Sequence, residues 1–143
     1  MNKLPRIVID TNVLVSALRS RRGWSFTLLS AVGGGRFEHV VTVPLVMEYE
    51  AVLLRSGTVP LPADAAQDVI DYLCATALHQ AVHFLWRPKL ADPKDDMVLE
   101  AAVNGGCDAI VTHNRRDFLA AESLGVRVLR PADFMNRPKK NPR

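Results

Sequence analysis

Four acidic residues stand where a short apolar run ends or a helix begins, and their chemistry suits a metal ion. Asp10 directly follows Ile7-Val8-Ile9 and heads the triplet Asp10-Thr11-Asn12. Glu48 lies about one turn into an apolar segment that Pro44 opens, Asp96 ends Asp92-Pro93-Lys94-Asp95-Asp96, and Asp117 closes the polar stretch that starts at Thr112. Carboxylates with no accompanying Cys or His set are hard oxygen ligands, which suit Mg²⁺ or Mn²⁺ better than zinc or copper. Ions held this way lower the pKa of a bound water and neutralise charge on a scissile phosphate, so no protein nucleophile is required. Thr112 and Asn12 are placed to orient the water or the outer metal shell by hydrogen bonds.

Each acid also has a plainer reading. Asp, Thr and Asn are all good helix N-caps, and one of Asp10, Thr11 and Asn12 must start the helix that follows. Thr11 or Asn12 can fill that role and leave Asp10 without a capping duty. Helix-start rules account for Asp92 as cap, Pro93 at the first helical position and Asp95 at the third, which leaves Asp96 as the remainder. Asp96 adjoins Met97-Val98-Leu99 and Ala101-Ala102-Val103, and a carboxylate on so apolar a helix needs a cation, donors or a raised pKa. The helical wheel does not separate Glu48 from Glu50, but Glu48 lies nearer the helix start. Asp117 falls at about the third helical position, where interaction with the helix amino terminus is the plain alternative.

These residues must be positioned by the elements around them. Runs rich in Val and Ile recur at Ile7 to Ile9, Val40 to Val43, Ala109 to Thr112 and Val126 to Leu129, and continuous apolar runs read as parallel strands covered on both faces. Helix-like segments lie between them, at Val13 to Arg19, Ser25 to Val32, Pro44 to Arg55, Ala63 to His79, Lys94 to Asn104 and Phe118 to Leu124. This alternation predicts an α/β fold with a doubly wound sheet of four or five strands, the fifth falling near Val82 to Trp86. Ligands of such sheets bind outside the carboxyl ends of the strands, where Asp10 and the Thr112 to Asp117 cluster would sit. Gly33-Gly34-Gly35 follows a helical segment, not a strand, and reads as a helix C-cap and turn.

The length of 143 residues bounds the chain to one compact domain. It is divided here into a domain over residues 1–135 and a basic tail over 136–143. Apolar residues make up 48% and charged residues 23%, which excludes a disordered chain. The amino-terminal apolar run is too short for a signal peptide, which needs roughly 7 or more apolar residues, or for a spanning helix of about 20. A cytoplasmic protein is expected. Cys74 and Cys107 have no metal-binding spacing and read as buried free thiols. The net charge of +3 permits a polyanionic partner, and Arg19, Arg21 and Arg22 are candidates for RNA phosphates at the rim of an acidic pocket. For the tail residues Arg137, Lys139, Lys140 and Arg143, a solvated basic segment is the expectation.

The order Ile-Asp-Thr-Asn, a Pro-led helix carrying Glu, Asp-Pro-x-Asp-Asp, and Val-Thr-x-Asn-x-x-Asp-Phe resembles the PIN domain. It is most similar to the bacterial, VapC-like branch that serves as the toxin of type II toxin–antitoxin systems. The resemblance runs from Arg6 to Phe134. It implies a three-layer α/β/α fold, Mg²⁺ or Mn²⁺ dependence, endonucleolytic cleavage of RNA, a protein antitoxin as partner and a homodimer. Carried over, Asp10, Glu48 and Asp96 match the three main acids. At the fourth position many relatives have Asp where this chain has Asn114, while others pair Asn with an acid three residues on, as Asp117 provides.

Other acid-bearing α/β classes fit less well. A haloacid-dehalogenase-like phosphatase needs a second Asp where Asn12 stands, and a signalling receiver needs an acid pair and a late Lys that do not fit. His79 and His83, four apart, lack the intervening Glu of a zinc protease, and no Gly-x-Ser-x-Gly elbow occurs. The non-enzymatic alternative is a PIN-like RNA- or partner-binding protein with weak or lost activity.

Overall fold

The computed structural model describes residues 3–83 and 92–136. Five parallel strands form one sheet in the order β3-β2-β1-β4-β5. They are β1 (Arg6–Ile9), β2 (Glu38–Val41), β3 (Leu78–His79), β4 (Ala109–Val111) and β5 (Arg127–Leu129). The helices are α1 (Thr11–Arg19), α2 (Trp24–Ala31), α3 (Val43–Leu53), α4 (Ala63–Thr76), α5 (Pro93–Asn104) and α6 (Pro131–Met135), and a 3-10 helix spans Arg115–Leu124. The expected α/β class with a parallel sheet is therefore observed.

The central strands are the most buried, as their unbroken apolar runs require. Ile7, Val8, Ile110 and Val111 have no solvent exposure, and Ile9 lies in register with Val111. Strand order reverses at β1: the chain steps outward through β2 and β3, then returns to lay β4 on the other side of β1. A crevice forms at such a reversal because the connections leave on opposite faces. The residues that follow β1 and β4 are thereby brought together.

Two sequence expectations change. The helix expected to reach His79 stops at Thr76, because Leu78 and His79 pair with Val40 and Val41 instead. Ala77 turns extended to make the switch. The fifth strand thus lies upstream of Val82 to Trp86; Val82 and His83 are outside any strand, and Phe84 to Trp86 lie outside the described residues. The tail from Arg137 onward also lies outside them. The glycine turn behaves as expected: Gly33 has φ +80°, and a Cβ there would come within 2.5 Å of the Tyr72 hydroxyl oxygen. That hydroxyl donates to the Val32 carbonyl. Cys107 is buried and Cys74 half-buried, both as free thiols.

His39 on β2 gives the fold a pH dependence. Its ring is 2% exposed, Nε2 shares a hydrogen bond with the Thr76 hydroxyl at 3.0 Å, and Nδ1 has no partner among the described residues. Burial, with His79 nearby, pushes its pKa down from 6.5 to about 4. The unfolded chain therefore takes up the proton first, and this contribution to stability is lost as pH falls from 6.5 towards 4. Urea melts across that window should show a steeper loss for the wild type than for His39→Gln. Equal slopes would assign the acid response to other groups.

Candidate active site

The carboxyl edge of β1 and β4 opens into a cleft of about 500 Å³ lined by Asp10, Asn12, Glu48, Asp92, Asp95 and Asn114, with Arg19 and Lys94 also on its walls. Asp10 is fixed by both its backbone and its side chain. Its amide donates to the Val111 carbonyl at 3.0 Å, continuing the β1–β4 ladder. It occupies the N-cap position of α1 but makes no side-chain capping bond. The carboxylate instead accepts from the Thr112 hydroxyl at 2.8 Å.

Thr112 is the hub of this edge. It is fully buried, and its Oγ1, besides donating to Asp10, accepts the Asn114 amide at 3.0 Å and an Asn12 side-chain N–H at 3.4 Å. The Asn12 Oδ1 in turn accepts the His113 amide. These bonds lock the turn after β4 to the start of α1. His113 is held from the far side by a 2.8 Å hydrogen bond with Ser25, a contact with no signal in the sequence.

Glu48 reaches the cleft from α3, which starts where Thr42 caps the Leu45 amide at 3.2 Å. Tyr49 anchors the same helix by donating its hydroxyl to the Ile9 carbonyl, one residue before Asp10. Glu48 is half-buried and its position, unlike that of Glu50, lines the cleft.

On α5 the structure separates two neighbouring acids. Asp92 caps the helix as expected, accepting the Lys94 amide at 2.9 Å. Asp95, expected to serve only the helix start, lines the cleft. Asp96, expected in the cleft, is 1% exposed and does not line it. The two side chains leave the helix about 100° apart, and it is Asp95, with Lys94 before it, that lines the cleft. Asp117 is exposed and lines an adjoining cavity, but its charge reaches both Asp10 and Asp95.

The electrostatics mark this cleft as a place where negative charge is crowded. Burial pushes Asp10 up to about 6, with Glu48 and Asp117 adding to the rise and the Thr112 and Thr11 hydrogen bonds opposing it. Burial likewise pushes Asp95 up to about 7, and the charges of Asp10, Asp92, Asp117 and Asp96 add to it. The Thr11 hydroxyl, 7% exposed beside the cleft, has no hydrogen-bond partner among the described residues. Crowded carboxylates and an unpartnered buried hydroxyl fit a hard divalent cation with its water shell. Among the described residues, however, no three His, Cys, Asp or Glu side chains stand close enough together to enclose one.

Comparison with known protein families matches residues 6–116 to the PIN domain. The chain belongs to the PIN-domain family. A chain in the crystal structure of VapBC2 from Rickettsia felis bound to a DNA fragment from their promoter shares this PIN architecture. It superposes with a TM-score of 0.60 at 12% identity, covering 86% of the present chain and 98% of that one. No curated protein matches the sequence. The family match ends at residue 116, so Asp117 of this PIN domain lies just beyond it. Among the described residues no helix is long and apolar enough to cross a membrane.

Proposed function

We propose that this PIN domain is a divalent-metal-dependent endoribonuclease in which Asp10, Glu48 and Asp95 hold Mg²⁺ or Mn²⁺. The observation that supports the proposal is that these three acids, one directly after β1 and the others on α3 and α5, line a single cleft at the strand-order reversal. Asp117 contributes charge from the rim, and Asn114 stands between the two. A bound ion supplies charge neutralisation at a scissile phosphate and acidifies water. Thr112 holds the Asp10 carboxylate in one orientation, while Asn12 fixes the turn that carries His113 and Asn114. Arg19 and Lys94 on the cleft wall offset phosphate charge. Arg19 is pinned by donating to the Thr58 carbonyl at 2.8 Å, and exposed Arg21 and Arg22 extend the positive rim.

Family membership supports a nuclease, and the VapBC2 neighbour supports a protein antitoxin as partner and hence the role of toxin in a toxin–antitoxin pair; a homodimeric state and a cytoplasmic location complete the proposal. A second reading, an RNA- or partner-binding relative with little activity, is favoured by the open spacing of the acids. Incubation of purified protein with RNA decides between them. Cleavage in Mg²⁺ or Mn²⁺ that stops in chelator and returns with Mn²⁺ is expected. Cleavage that persists without metal overturns the metal mechanism, and binding without cleavage selects the second reading.

A further inference from the structure

Beside the acidic cleft lies a second cavity of about 380 Å³, lined by His113, Asn114, Arg115, Arg116, Asp117 and Arg130. The two cavities share Asn114. Arg115 and Arg116, which open the 3-10 helix after β4, and Arg130, which follows β5, line it with a single acid, Asp117, so the wall carries excess positive charge. The arginines are not consumed by the fold. Arg115 donates its Nε–H to the Val128 carbonyl at 3.0 Å, which orients the planar group. Arg116 and Arg130 form no ion pair or side-chain hydrogen bond among the described residues.

The geometry points to this cavity as a phosphate subsite that grips the backbone of the RNA strand next to the bond cut in the acidic cleft. Guanidinium groups present paired N–H donors that match phosphate oxygens, and clustered, unpaired arginines repel one another until an anion is bound. A strand laid across Asn114 places one phosphate among the acids and a flanking one among the arginines. The cleft then supplies metal-assisted chemistry and the basic cavity supplies substrate grip and direction. The inference rests on the ribonuclease reading only for the identity of the ligand.

The test uses a fluorescein-labelled single-stranded RNA and the full chain carrying Asp10→Asn, which binds without cutting. Adding Arg116→Gln with Arg130→Gln should weaken binding about tenfold and reduce the salt slope by roughly 1.4, two contacts at about 0.7 each. Removing equal charge elsewhere, with Arg36→Gln and Arg127→Gln, should leave the slope nearly unchanged. Thermal melts check folding, and if the double variant is unstable, exposed Arg116→Gln alone should lower the slope by about 0.7. An unchanged slope overturns the inference, as does a thermal shift with inorganic phosphate that the arginine variants lose while RNA affinity stays constant. A reduced slope in a protein whose parent never cuts RNA would retain the subsite and reject the nuclease reading.

Discussion

Asp95→Asn should abolish RNA cleavage, by a hundredfold or more, and at the same time raise the melting temperature in chelator. The two effects share one cause. Asp95 lines the cleft with its pKa pushed up to about 7 by burial and the surrounding acids, so its charged form is disfavoured by the fold. Since the folded value lies above the unfolded 3.8, this cost is present at pH 8 and is relieved as pH falls through 7 towards 4. The Asn variant removes the cost at nearly constant volume. The gain should be a few degrees at pH 8 and should shrink in acid. Cleavage is lost because removing one preorganised charged group from an electrostatic site costs on the order of 10²–10³ in rate. Asp96→Asn provides the contrast: Asp96 is buried outside the cleft and has partners of its own, so its replacement should lower stability and leave the Mn²⁺ response in place. The reverse assignment of the two phenotypes would return Asp96 to the site.

Thr112→Val should be the most damaging change that touches no charge. The substitution keeps the volume but deletes the oxygen that donates to Asp10 and accepts from Asn12 and Asn114. Leaving such buried groups unsatisfied costs about 1–3 kcal/mol, roughly 2–4 °C per kcal/mol for a domain near this size. Loss of a residue that orients a ligand typically lowers activity or metal affinity by about 10–100-fold. Thermal melts and cleavage rates should both fall, and Thr112→Ser should restore most of each. A Val variant with normal cleavage would make Thr112 a structural residue only.

The distinction between Asp95 and Asp96 shows where the sequence stops being informative. Asp10 is legible because an apolar strand ends on it, and the reversal of strand order makes that end a crevice. Glu48 is legible for a related reason: its helix starts right after β2, so its first turns stay near the carboxyl edge. On α5 Val98, Leu99, Ala101 and Ala102 are all buried, as are the acids Asp96 and Glu100, and periodicity then cannot say which acid points into the cleft. The helix-start rules identified the cap correctly but assigned Asp95 a local role that the cleft overrides. The short strand β3 was hidden because its residues continue a helical pattern, and only pairing with β2 makes the extended form favourable. The basic cavity has no signature in the sequence, because Arg130 joins Arg115 and Arg116 only once β5 pairs with β4.

The central claim is that Asp10, Glu48 and Asp95 hold a catalytic divalent ion, and Mn²⁺ binding followed by electron paramagnetic resonance tests it most directly. Titration of the wild type, Asp10→Asn, Asp95→Asn and Asp96→Asn at fixed pH and salt reports free and bound ion in each. Wild type and Asp96→Asn should bind Mn²⁺ with comparable affinity, and Asp10→Asn and Asp95→Asn should bind it at least tenfold more weakly, as expected when a charged ligand is removed. Equal Mn²⁺ binding by all four proteins would contradict the account.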